Sequence, residues 1–273
     1  MKNILKIELK RSIFNKWTCV SVLVGMIICL LQFYQMAKVR GMYFEAIAED
    51  GLEKMTNICT TTPFDNWILF DQSSYNYLLL FIMPILVALP FGASFYQDVK
   101  SGYIKQIVLR ISKKDYLKAK YFSTFISGGF VIVCPVLVNF LLMGLVYPFH
   151  KPYIYASQMY MESTLGIDLF FEHPFVYVAV YMMFLFITAG AMATICLLIS
   201  MQISNYFSVI ITPFIVSFIL IFTSSIIGYT DIAPMHWLQA CTTGRNFTAA
   251  IIELIIFTIP IYCIFTKSKA DIL

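Results

Sequence analysis

Charged side chains are scarce in this sequence. Only 12% of its 273 residues are Asp, Glu, Lys or Arg, whereas 60% are hydrophobic, and the mean hydropathy is +0.79. A soluble globule of this length needs more polar residues to cover its surface. The composition therefore excludes a soluble globular protein and predicts an all-α integral membrane protein.

The sequence also lacks the motifs of intramembrane proteases and ATP-hydrolysing enzymes. It contains no HExxH, no GxSG followed by a histidine in an apolar segment, no pair of aspartates within apolar segments and no GxxxxGK[ST] phosphate loop. Its three histidines, His150, His173 and His236, all fall in predicted outer loops. We therefore expect no enzymatic activity, no cofactor and no metal in this chain.

The seven cysteines form no CxxC or Cys/His pattern, and five of them lie in apolar segments, where a thiol behaves as a small hydrophobic group. Cys59 and Cys241 fall in loops predicted to share one side of the membrane, and that shared side is the sole argument for a disulfide between them. The net charge of +4 arises from residues flanking apolar segments rather than from a basic patch. We expect no nucleic-acid partner.

Six apolar segments are long enough to cross a bilayer. A basic segment, 1–16, precedes the first and predicts an interfacial helix. Together they predict a single transmembrane domain over 1–273, with spans at about 17–36, 75–96, 121–147, 174–201, 206–228 and 249–265.

The distribution of charge sets the orientation of these spans. Segments 1–16, 97–120, 202–205 and 266–273 hold 14 of the 19 Lys and Arg residues, whereas ten of the 15 acids lie in the loops of the other side. Basic loops stay in the cytoplasm. Six spans with both termini cytoplasmic follow from this distribution.

The loop 98–120 between spans 2 and 3 carries seven basic residues and an apolar stripe at helical spacing, Ile104, Ile107, Val108 and Ile111. Ser112 and Asp115 have the spacing of a capping box that opens a second helix continuing into span 3. An exposed stripe of this kind marks a partner surface. The alternative is a basic helix resting on anionic lipid headgroups.

Three further features concern helix packing and the outer side of the membrane. In span 4, Ala189, Gly190, Ala193 and Thr194 form a small-xxx-small pattern, which predicts close helix packing. The connector 229–247 is too apolar for a free loop and too short to span, so we expect a re-entrant or interfacial piece. Glu253 is the one acid within a predicted span; a structural carboxylate that snorkels outward and a role at an outer gate both fit it.

Two neighbouring motifs resemble those of the type-2 ABC transporter permeases, an exporter family. They are Tyr96-Gln97-Asp98-Val99-Lys100-Ser101-Gly102 and Arg110-x-Ser112-Lys113-x-x-Tyr116-x-x-Ala119-Lys120, with the basic leader and the Ala233-Pro234 connector in support. The resemblance implies a permease that pairs with a second copy or homologue and binds two ATP-binding subunits, which carry ATP and Mg.

By this resemblance, 103–111 is the coupling helix and 229–244 is the outer hairpin that closes the exit. The residues implied in coupling are Tyr103, Ile104, Ile107, Val108, Arg110 and Ile111. The candidate outer gate consists of Met235, Trp237, Leu238, Arg245 and Glu253.

The resemblance leaves several classes of cargo open. Similar small permeases in the cell membrane of Gram-positive bacteria export antimicrobial or amphipathic peptides, sometimes for self-immunity, whereas others move polysaccharides, drugs or ions. Spans with little charge and many Phe, Tyr and Met residues favour an amphipathic peptide. The alternative from another class is a non-transporting membrane sensor or anchoring subunit of an ATPase complex.

Overall fold

The computed structural model describes residues 2–50, 62–152, 166–203, 205–228 and 238–240. Within these residues every regular element is an α-helix, which confirms the all-α prediction. The predicted sixth span, 249–265, lies outside the described part. The helices are α1 Lys2–Ile13, α2 Lys16–Asp50, α3 Pro63–Asn66, α4 Ser74–Ala88, α5 Ser94–Lys100, α6 Tyr103–Val108, α7 Lys113–Val146, α8 Ile167–Glu172, α9 Pro174–Ser200 and α10 Tyr206–Ile227.

Four helices are long and apolar enough to cross a membrane: Lys16–Met42 within α2, α7, α9 and α10. They correspond to the predicted spans 17–36, 121–147, 174–201 and 206–228. The fifth apolar helix, α4, has 15 residues, about 22 Å, which is shorter than a bilayer core. These helices are compatible with a multi-pass membrane protein.

The predicted second span, 75–96, contains two prolines that can each kink a helix, and here it is divided into two helices: α4 ends at Ala88 and α5 begins at Ser94. Pro84 lies inside α4 without ending it, whereas Pro90 falls in the turn between the two helices. Proline has no N–H to continue a helix, and here the Nδ2 of Asn15 donates to the Pro90 carbonyl at 2.7 Å. A side chain from the α1–α2 corner therefore stabilises the break.

The long helix α7 begins where the capping box predicted it. The Ser112 hydroxyl accepts a hydrogen bond from the Asp115 N–H at 3.2 Å, and the helix continues unbroken from Lys113 to Val146, a length of about 51 Å. This helix packs against α9, α2 and α1. It is the central helix of the bundle.

Small residues bring α7 and α9 into close contact. A Cβ added at Gly128 would lie 2.5 Å from the Ala193 Cβ, and one added at Gly190 would lie 2.7 Å from the Phe125 carbonyl oxygen. The packing predicted from the small residues of 189–194 is thereby confirmed. The two backbones approach closely because neither glycine carries a side chain.

The bundle has two distinct ends. The α1 end contains α1, α5, α6 and the first turns of α7, and the α3 end contains α3, α8 and residues 62–73. At the α3 end the chain after α3 folds back into the bundle, where Trp67, Ile68 and Leu69 are fully buried in the main apolar core.

Candidate functional site

A buried acid lies on the inner face of the N-terminal helix. Ile4, Glu8 and Ser12 recur every four residues along α1, and all three are buried. The Glu8 carboxylate has no exposed surface, and its Oε1 accepts a hydrogen bond from Arg11 Nη1 at 2.7 Å. An ionised carboxylate in such a place requires compensating cations.

Helix α7 supplies a second cation, Lys120, and helix α5 supplies a second acid, Asp98. Asp98 of α5 accepts from Arg11 Nη2 at 2.9 Å and from Lys120 Nζ at 2.5 Å, and Lys120 also donates to Glu8 at 3.0 Å. The Tyr116 hydroxyl donates to Asp98 at 2.7 Å. We call Glu8, Arg11, Asp98 and Lys120 the charge quartet. The quartet joins α1, α5 and α7, and its members Glu8 and Lys120 are 112 positions apart in the sequence.

The quartet contains two acids and two bases, so its formal charges cancel. Burial by itself would raise the pKa of the Asp98 carboxyl, but Lys120, Arg11 and Tyr116 hold that pKa below its ordinary value. Burial would lower the pKa of the Arg11 guanidinium, and its contacts with Asp98 and Glu8 raise it above the ordinary value. Both groups therefore stay ionised at neutral pH.

Aromatic rings surround the two cations. Lys120 Nζ lies 4.3 Å from the centroid of the Phe91 ring, and Arg11 Cζ lies 4.7 Å from the centroid of the Tyr103 ring. Ring faces attract cations electrostatically. Tyr103 is one of the predicted coupling residues and the first residue of α6. Its contact with Arg11 therefore links the quartet directly to α6.

The predicted helix at 103–111 exists but is shorter, Tyr103–Val108, and begins after Gly102 in a left-handed conformation (φ 73°). The expectation that its apolar stripe is exposed is wrong. Ile104 is buried, and the other three stripe residues are half-buried against an apolar cluster of α1, α7 and α9. The chain covers this stripe itself because α6 packs against α5 and α7.

The outward face of α6 and of the turn after it has a different composition. Lys105, Gln106, Leu109 and Arg110 are exposed, and the Leu109 side chain is 88% exposed. Of the predicted coupling residues, only Arg110 lies on this face. The face combines two cations, an amide and one protruding apolar side chain.

A polar cluster occupies the opposite end of the molecule. The amide of Asn139 in α7 donates to the Cys29 carbonyl at 3.0 Å and to Gln32 Oε1 at 2.8 Å, and its Oδ1 accepts from the Ile68 N–H at 2.9 Å. Gln32 in turn donates to the carbonyl of Asn66. This cluster fixes the returning segment 62–73 to α2 and α7.

Part of the predicted outer gate packs on that segment. Leu238 is buried, and the Ala240 N–H donates to the Leu69 carbonyl at 2.9 Å. The Tyr177 hydroxyl donates to the Ala240 carbonyl at 3.1 Å. The remaining gate candidates, Met235, Trp237, Arg245 and Glu253, lie outside the described residues, as do Cys59 and Cys241.

Within the described ranges, no group of three His, Cys, Asp or Glu side chains could hold a metal ion. Comparison with known proteins adds no assignment: no family model matches the chain, and no curated protein or solved structure matches it.

Proposed function

We propose that the chain is the membrane-spanning permease subunit of an ATP-driven ABC transporter, with ATP and Mg²⁺ bound and ATP hydrolysed on a separate subunit. In this proposal it crosses the membrane six times, the second span being 75–96, of which α4 forms the longer part, and the α1 end faces the cytoplasm. The α1 end carries most of the basic residues of the described part, which supports this orientation.

The charge quartet is the observation that carries the proposal. A permease that takes energy from another subunit must pass a displacement of its cytoplasmic surface into its spans. Here the cytoplasmic helix α6 lies against Arg11 through Tyr103, and Arg11 is tied through Asp98 to Lys120 in α7. Buried ion pairs break only at high cost, so α1, α5 and α7 move together when α6 is displaced.

The outward face of α6 is the proposed contact with the ATP-binding subunit. Leu109 supplies a single apolar anchor, and Arg110 supplies a planar donor fork suited to a carboxylate or carbonyl group. The sequence-based choice of the isoleucine stripe is replaced by this face, because the stripe is covered by the chain itself. A second permease copy or homologue would complete the transporter.

The proposed cargo is an antimicrobial or amphipathic peptide. The described spans hold few charges, and aromatic side chains gather at the α3 end, where Phe64, Phe149 and Phe175 have ring centroids 4.9 to 5.9 Å apart. The contact of Ala240 with Leu69 supports closure of the exit at that end by the predicted hairpin 229–244, to which Ala240 belongs.

The test is co-purification with a candidate ATP-binding subunit, followed by ATP hydrolysis with candidate peptides. Leu109→Asp should reduce retention of that subunit about thirtyfold or more, the usual effect of losing an apolar anchor worth about 2 kcal/mol. Arg110→Ala should lower peptide-stimulated hydrolysis while membrane insertion is unchanged.

The matched control is Gln202→Asp, which adds the same charge at an exposed position in another loop of that end. Ile107→Asp is less informative, because it would place a charge against the chain's own core. Full retention and stimulation in Leu109→Asp would contradict the coupling role of α6. Retention of the subunit by the wild type without peptide transport would instead favour a sensor or anchoring subunit.

A further inference from the structure

A cleft of about 330 Å³ opens at the α1 end, beside the charge quartet. Its walls come from the α1–α2 corner, from the break between α4 and α5 and from the start of α10. Asn15 joins the first two walls through its hydrogen bond to Pro90, so the cleft is preformed. The volume falls in the range of small-molecule sites.

The polar groups that line this cleft can all donate hydrogen bonds. The polar side chains are the guanidinium of Arg11, the indole of Trp17, the hydroxyls of Ser94 and Tyr206, and the amides of Asn15 and Gln97, of which Asn15 already donates to Pro90. Arg11 is the one charged residue among the described lining, and no carboxylate lines it. This lining favours an anion with several acceptor oxygens.

Several of these donors are unused within the described part of the chain. The Arg11 guanidinium has five N–H donors. One donates to Glu8, one to Asp98 and one to the Tyr103 hydroxyl, which leaves two for a ligand. Ser94 is only 6% exposed, and its hydroxyl has no partner among the described residues. A buried hydroxyl without a partner is uncommon in folded proteins.

The position of the cleft identifies the source of the anion. Trp17 and Tyr206 stand at the first turns of two candidate spans, Lys16–Met42 and Tyr206–Ile227. Trp and Tyr at span ends lie at the headgroup level of a bilayer. Phe14, 82% exposed at the mouth of the cleft, offers an apolar surface to an acyl chain or glycerol backbone.

We propose that this cleft binds the phosphodiester group of a membrane phospholipid. Arg11 and Ser94 supply donors from its inner wall, whereas Trp17, Gln97 and Tyr206 supply donors from its mouth. This inference does not depend on the permease assignment, because it requires only the cleft, its donors and its place at the span ends.

Native mass spectrometry of the delipidated full-length protein, titrated with dioctanoyl phosphatidylglycerol, tests the proposal. The variant Trp17→Phe/Gln97→Leu/Tyr206→Phe removes three donors and leaves the quartet untouched. We expect it to weaken the tightest lipid-binding step about tenfold or more. The matched control, Tyr34→Phe/Gln35→Leu, alters exposed residues farther along α2 and should bind like the wild type.

Two further ligands separate the sources of the phosphate. Dioctanoylglycerol, which lacks the phosphate, should bind at least about tenfold more weakly than the phospholipid. Inorganic phosphate should compete only at much higher concentration. If inorganic phosphate binds as tightly as the phospholipid, the source is a free anion and the lipid assignment is wrong. Equal phospholipid binding by the wild type and the triple variant, or equal binding of dioctanoylglycerol, would overturn the site.

Discussion

Lys120 neutralises two buried carboxylates at once, since its ammonium contacts both Glu8 and Asp98. Lys120→Met would leave one of those two buried charges without enough compensation, and removal of one partner from a buried ion pair costs about 3–5 kcal/mol. We expect a comparable loss in the free energy of unfolding and faster hydrogen exchange in α1. Denaturant unfolding in detergent and exchange mass spectrometry measure the two effects.

Lys114→Met is the matched control, because Lys114 is exposed on the same helix. It should change the free energy of unfolding by less than about 0.5 kcal/mol. The double variant Glu8→Gln/Lys120→Met should lose less free energy of unfolding than the two single variants lose together, because the charges are then balanced again. Equal destabilisation by Lys114→Met and Lys120→Met would contradict the role assigned to the quartet.

The ionisation of Asp98 predicts how the α1 end responds to pH. Its folded pKa is lowered, so its stabilising effect is present above the unfolded pKa of about 3.9 and is lost as the pH falls through the folded value. Hydrogen exchange in α1, corrected for its intrinsic pH dependence, should therefore be constant between about pH 5 and 8. A transition within that interval would show that the quartet as a whole does not keep its charges between about pH 5 and 8.

The two family-like motifs contain Asp98, Tyr116 and Lys120, but neither motif nor periodicity predicted that these residues meet Glu8 and Arg11 in a buried quartet. Glu8, Asp98 and Lys120 belong to segments whose charges were interpreted as topology signals, and the partners are 22 to 112 positions apart. One local signal was present: Glu8 stands four residues after Ile4 and four before Ser12, on the face of α1 that is buried. A lone acid on such a face requires a cation from elsewhere in the fold.

At the scale of single elements, the crossing of α7 and α9 depends on Gly128. Gly128→Ala would place a methyl group 2.5 Å from the Ala193 Cβ, which forces the helices apart. Overpacking of this kind costs about 1–3 kcal/mol, more than the gain of about 1 kcal/mol in helix propensity. We expect a lower melting temperature. Gly41→Ala, in open space on α2, is the control and should be neutral or slightly stabilising.

The elements themselves were largely predictable, because apolar length and capping chemistry are local properties. The start of α7 at Ser112 and the four long spans follow from such signals. One element-scale prediction was wrong for a non-local reason: the α6 stripe is covered by α1, α7 and α9 instead of being exposed. The division of 75–96 at Pro90 has a local cause, and only the hydrogen bond from Asn15 that stabilises it had no local signal. A helical period indicates an apolar face but not which surface covers it.

At the scale of the whole molecule, α7 connects two polar clusters at opposite ends of the bundle. Lys120 in the quartet and Asn139 in the cluster under segment 62–73 are 19 residues apart, about 28 Å along one helix. No break interrupts α7 between them, although Pro135 lies in this stretch. A rigid helix anchored at both ends can transmit a displacement of α6 to the segment that packs against Leu238–Ala240.

This arrangement predicts different behaviour for stability and for transport. Asn139→Leu leaves the Ile68 N–H and the Gln32 Oε1 without their partner, at about 1–3 kcal/mol for each buried group, and should increase hydrogen exchange in 62–73 but not in α1. Because the sites are far apart, its effect on unfolding should add to that of Lys120→Met within about 0.5 kcal/mol. If the chain acts as the proposed permease, the two losses in peptide-stimulated ATP hydrolysis should not be additive, because either change interrupts the same path through α7. The double variant should then be no more impaired in stimulation than the worse single variant. Independent, multiplicative losses in stimulation would mean that α7 does not connect the two ends.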